Sequence, residues 1–166
     1  MKILKYITAL FSTAALSIAP AVARVDADTP ALLQAAQAGG ITVALNPATC
    51  DGASYLGSYQ PLDRILTVCY SGRPTAEDHD TVRHEVFHAA QHCASEKRGY
   101  GYHIQPILGG DKLTAFLNEH LTPQQIESIK GMYPEARHLT ELEAFAASTA
   151  YTAEEIASIY STWCEA

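Results

Sequence analysis

The chain has 166 residues, enough for one domain with its own core, and 48% of them are hydrophobic. Eighteen acidic residues against eleven basic ones give a formal net charge of -7. That balance, with no cluster of Lys and Arg, argues against nucleic acid or an anionic membrane surface as a partner.

The first 23 residues, MKILKYITALFSTAALSIAPAVA, place Lys2 and Lys5 ahead of an apolar run from Ile7 to Ala19 and end in Ala21-Val22-Ala23. Small residues around one variable position are what a signal peptidase reads. The run is short for a membrane span and is interrupted by Ser12, Thr13 and Ser17. A signal peptide over 1–23 and a single exported domain over 24–166 are expected, secreted or periplasmic and monomeric. Loss of the two lysines would take the formal charge from -7 to -9.

DTPALLQAAQAGG reads as a short helix, with Thr29 as cap, Pro30 in the first turn and Gly39-Gly40 as the stop. ITVAL (41–45) and RILTVCY (64–70) are rich in β-branched and aromatic residues and predict antiparallel strands, with a looser one around Ser54 to Tyr59. Ser71-Gly72-Arg73-Pro74 breaks the chain. Thr75 and Asp78 then form the ends of a capping box for a helix over 76–96. A loop rich in Gly and Tyr, RGYGYHIQPILGG, follows. Four further helices are predicted: DKLTAFLNEHL; TPQQIESIKGMY, boxed by Thr122 and Gln125; PEARHLTELEAFAASTAY; and TAEEIASIYSTW, boxed by Thr152 and Glu155. A small sheet followed by a long helix and a helical remainder is an α+β fold.

The four cysteines, an even set in a chain expected to be exported, predict disulfides. Of three possible pairings, Cys50 with Cys69 and Cys93 with Cys164 is favoured. The first would close a hairpin, and the second would tie the long helix to the C-terminus. A cysteine-bound metal has no C-x-x-C spacing to support it.

The chemistry concentrates in the long helix, which reads TVRHEVFHAAQHC over 81–93. His84 and His88, four apart, lie about 40 degrees apart around a helix axis, so both imidazoles can reach one tetrahedral ion. Glu85 projects beside them and can hold a water at the open position, the arrangement of the H-E-x-x-H motif. Val82, Val86, Ala89, Ala90 and Cys93 form the apolar stripe, leaving His84, His88, Gln91 and His92 on the opposite side, which is expected to face a cleft. A catalytic zinc needs a third protein ligand. Glu141 and Glu143 are the downstream candidates; two apart on a predicted helix, they point in different directions, so only one can serve. His92 is a weaker third ligand, because a straight helix cannot wrap three successive turns around one ion. Tyr100, Tyr102, His103, His120 and His138 are candidates to hydrogen-bond an oxyanion.

HEVFH followed by a helix of E-x-x-A type resembles the gluzincin metallopeptidases, and the likeness spans about residues 81–147. It implies a zincin-like fold with strand 64–70 as the edge strand, and Zn(2+) held by His84, His88 and Glu141, with Ala144 letting the two helices approach. It further implies Glu85 as general base in hydrolysis of a peptide or protein substrate, which the strand Ile65 to Cys69 would bind by edge pairing. The chain departs from the family in having Phe145 where many relatives carry an acid, and in the separation of 53 residues from His88 to Glu141. The opposing expectations are a non-catalytic secreted protein with a structural or vestigial zinc site, and a metal-dependent cell-wall amidase.

Overall fold

The computed structural model describes residues 29–70 and 75–165. The expected signal peptide and the break at 71–74 lie outside the described residues. The order is α1 (Thr29–Ala38), β1 (Thr42–Leu45), β2 (Gly57–Gln60), β3 (Ile65–Val68), α2 (Ala76–Lys97), α3 (Gly110–His120), α4 (Pro123–Met132), α5 (His138–Ala150) and α6 (Ala153–Cys164). One turn of 3-10 helix precedes β2 at Ala48–Cys50, and another leads into α5 at Glu135–Arg137. The fold is α+β, as expected.

Local sequence sets most of these boundaries. All three capping boxes form, with Thr75, Thr122 and Thr152 accepting from the amides of Asp78, Gln125 and Glu155, whose side chains accept from the threonine amides in return. Gly40 ends α1 at a φ of +90°, a conformation that costs glycine little. Its neighbour Gly39 is fixed by space, since a Cβ there would lie 2.5 Å from Cε1 of the buried Tyr160 on α6.

The sheet differs from the expected antiparallel one: it is mixed, in the order β1-β3-β2. β3 pairs antiparallel with β2 (Gln60 opposite Ile65) and parallel with β1 (Thr42 opposite Ile65). The chain alternates direction at each strand, but it carries β2 past the position next to β1, and β3 returns into the gap between them. A strand inserted beside the one two before it in sequence must run parallel to it. Being central, β3 cannot take a peptide along an edge, so the edge-strand role expected of 64–70 does not stand. The free edge nearest α2 is that of β2.

α2 is the axis of the molecule. It packs against α1, α5, α6 and both β2 and β3, and every side chain from Val82 to Ser95 is buried. The expected two-faced helix, apolar on one side and open on the other, is therefore corrected. Its polar face is covered by α5, whose Ala144 and Ala147 are fully buried and let the two helices come close. The main core joins Leu32, Leu66, Val86, Ile156 and Tyr160, each burial contributing about 1.5–3 kcal/mol. A smaller cluster of Leu113, Leu117, Ile129 and Leu142 packs α3 and α4 against α5. Both disulfides form as favoured, Cys50–Cys69 and Cys93–Cys164, the second joining α2 to the end of α6. They fit an oxidising, extracellular or periplasmic compartment. Among the described residues no helix is long and apolar enough to cross a membrane.

Candidate metal centre

His84 and His88 project from consecutive turns of α2 towards the first turn of α5, where Glu141 stands. Glu141 Oε2 lies 3.4 Å from His84 Nε2 and 3.3 Å from His88 Nε2. The three side chains are buried, and their ligand atoms all lie within 4.8 Å of one another, a group that can hold a metal ion.

The hydrogen bonds around the group decide what its facing atoms are. Gln91 donates from Nε2 to the Thr140 carbonyl at 3.1 Å and to Glu143 Oε2 at 2.8 Å. Its amide is thereby oriented, and Oε1 is left to accept from His88 Nδ1 at 2.7 Å. With Nδ1 carrying the proton, neutral His88 turns a bare lone pair on Nε2 towards a carboxylate oxygen. Two acceptors do not approach to 3.3 Å unless something positive, a proton or a cation, lies between them. The spacing favours a cation. Charge-assisted N–H···O bonds close to roughly 2.7–2.9 Å, whereas ligands at about 2.1 Å in tetrahedral array around zinc stand about 3.4 Å apart.

Arg137 Nη2 donates to the other oxygen, Glu141 Oε1, at 2.5 Å, leaving Oε2 for the histidines. His88 and Glu141 are thus each held by a further side chain, Gln91 and Arg137, and His84 is not. His84 Nδ1 is buried without a hydrogen-bond partner among the described residues, and the Phe145 ring sits 4.4 Å from the His84 ring, at the sequence position where the resemblance would put an acid.

Charge is managed closely here. Burial pushes the Glu141 carboxyl up, but His84 and His88 together outweigh it and hold the group well below the usual carboxylate range. Burial pushes His88 down, yet Glu141, Glu85 and Gln91 carry it above the ordinary imidazole value. Glu85 is 7% exposed, and the structure records no hydrogen bond to its carboxylate among the described residues. It lies against β2: a Cβ on Gly57 would meet Glu85 Cγ at 2.9 Å and Oε1 at 3.3 Å.

The other predicted residues go elsewhere. Glu143 belongs to the scaffold, accepting from Gln91 and from the amides of Ile107 and Leu108, both at 2.7 Å. His92 is engaged with β2 instead, where Nδ1 lies 2.9 Å from Tyr59 Oη. His138 Nε2 is engaged with the Tyr133 carbonyl at 2.8 Å, and His120 packs on the Phe116 ring. Tyr100, Tyr102 and His103 are exposed on the loop after α2.

Two residues were missed. Tyr133, just past α4, is half-buried, and burial pushes its phenol up to about 12, with the nearby charges of Glu141 and Glu85 adding to the effect. It therefore keeps an intact O–H donor at neutral pH. Arg137 is the other; its only signal was its place four residues before Glu141, a helical ion-pair spacing.

No family model matches this chain, and neither a curated protein nor a solved structure does. Its chemistry lies in the cluster itself: two imidazoles and a carboxylate of tetrahedral spacing, and the Glu85 carboxylate, which accepts no hydrogen bond among the described residues.

Proposed function

We propose that the protein is an exported zinc-dependent peptidase, with Zn(2+) held by His84, His88 and Glu141. The donor set carries this reading: two nitrogens and one oxygen are a catalytic zinc set, with a position left over for water. A bound zinc would polarise the scissile carbonyl and bring water to acidity near neutral pH. Glu85 takes the proton of the attacking water and delivers it to the departing amine, a role that suits a buried carboxylate with no competing donor. Tyr133 donates to the oxygen on which negative charge develops. The peptide adds to the free edge of β2, a strand that Gly57 lets lie close against Glu85.

The reading in which the ion merely staples α2 to α5 draws on the burial of the site, since His84 and Glu85 are each only 7% exposed. A staple has no use for Glu85, so Glu85→Gln separates the two. Zinc retained at one ion per chain with casein hydrolysis lost by 10²-fold or more is the expected outcome. Unchanged hydrolysis would remove Glu85 from the mechanism; no hydrolysis by the zinc-loaded wild type would leave the staple. Metal content by mass spectrometry tests the ligands: His84→Ala and Glu141→Ala lose zinc, and Glu143→Ala keeps it. A cell-wall amidase shares these residues and is distinguished by turnover of peptidoglycan stem peptides in place of casein.

A further inference from the structure

A cavity of about 440 Å³ opens beside the cluster, between the end of β2, the loop after α2 and the start of α5. Tyr59, Pro61, Tyr102 and Ile104 give it apolar walls, and Arg137 and Thr140 stand on the α5 side. The chain carries eighteen Asp and Glu side chains and a net charge of -7, yet among the described residues no Asp or Glu lines the cavity. The titratable side chains of its wall are Arg137, His103 and two tyrosines. Arg137 spends one nitrogen on Glu141 and keeps its side chain 54% exposed, so the rest of its five-donor fork is free to bond. When a divalent cation is bound, Glu141 and Glu85 offset it, and the guanidinium remains as the uncompensated charge.

We infer that this cavity is the subsite of a peptide residue bearing a carboxylate, and that Arg137 recognises it while bracing Glu141. The inference rests on the peptidase reading for its ligand class. A peptide on the β2 edge with its carbonyl near Gly57 advances about 3.3 Å per residue. Two to four residues along, it stands opposite Tyr59 and Pro61, at the cavity mouth. The apolar walls take the stem of the residue, and the fork takes the carboxylate by paired hydrogen bonds. A glutamate or aspartate side chain and a free C-terminus offer the same group.

The test uses the zinc-loaded full chain carrying Glu85→Gln, so that peptides bind without being cut. Blocked hexapeptides with glutamate or glutamine at each position, each made as free acid and as amide, are titrated by calorimetry. At one position, or at the C-terminus, the carboxylate form is expected to bind about tenfold or more tightly than its neutral partner. A preference at an internal position identifies an acidic side chain as the source, and a preference for the free acid identifies the C-terminus. Adding Arg137→Gln abolishes the preference. Ala136→Trp, which fills the cavity and spares the Arg137–Glu141 pair, abolishes it too with zinc retained, which covers the case in which Arg137→Gln loses metal. Equal affinity within every pair, or a preference that survives both variants, overturns the inference. Wild-type hydrolysis of the same peptides is scored separately: cleavage without preference sinks the subsite and leaves the peptidase, while preference without cleavage sinks the peptidase alone.

Discussion

The Nε2 of His88 is the atom on which the centre turns, because Gln91 fixes its partner nitrogen as the donor. In the metal-free protein this imidazole binds its proton more tightly than an ordinary histidine, so zinc entering the site must displace it. Apparent zinc affinity is therefore expected to rise with pH through and above 6.5 and to level off once His88 is neutral, as read by chelator competition. An affinity flat between pH 6 and 8 would remove His88 from the ligand set. Glu141 sets the acid limit. Its folded value lies below the unfolded 4.5, so its contribution to stability is present above 4.5 and is lost as the pH falls through the window beneath it. The metal-free protein should show a falling Tm below that pH, and Glu141→Gln should flatten the fall. Glu143 contrasts with it from two positions away. Glu143→Ala leaves the amides of Ile107 and Leu108 without their acceptor, at a cost of about 1–3 kcal/mol each where they stay dry, measured as a lower denaturation midpoint with zinc still bound.

At the scale of elements, the single turn of sequence HEVFH made the first half of the site legible. Helical spacing alone places His84 and His88 on one side. The capping boxes were legible for the same reason, being contacts between residues three apart. The disulfide pairing apart, what escaped the sequence was set by distant partners. That β3 is inserted between β1 and β2 follows from which strand leaves room beside β1, a matter of tertiary packing. That the histidine side of α2 is covered follows from α5 lying across it. Between Glu141 and Glu143 the residues alone gave no decision, since the helix phase of α5 relative to α2 is a long-range fact; the resemblance had pointed to Glu141. Tyr133 was missed because it belongs to no motif and reaches the site only through the turn between α4 and α5. The β2 edge yields a prediction at this scale. Gly57→Val places methyl groups where Glu85 and Thr81 already stand, and is expected to lower hydrolysis at least tenfold while zinc content stays at one per chain. Hydrolysis at the wild-type rate would detach β2 from the site.

For the whole molecule, the two disulfides divide the labour. Cys50–Cys69 closes a separation of 19 residues around the β2 approach, and Cys93–Cys164 closes one of 71 between the central helix and the C-terminal one. In the chain-entropy account these are worth about 3.3 and about 4.4 kcal/mol. Replacing Cys93 and Cys164 by serine should therefore lower the unfolding free energy more than replacing Cys50 and Cys69, by about 1 kcal/mol in denaturant titrations. The reverse order would mean that the small sheet, and not the helical body, depends more on its crosslink.

The burial of α2 on all sides has a dynamic consequence. Two of the three proposed ligands stand on a rod clamped by three helices, two strands and a covalent bond, whereas the third lies in the first turn of a helix entered through a single exposed turn, Glu135–Arg137. Departure of the ion should thus be felt asymmetrically. Amide exchange would quicken around 135–143 and hardly change around 82–95, so that the carboxylate side works as the hinged jaw and the histidine side as the anvil.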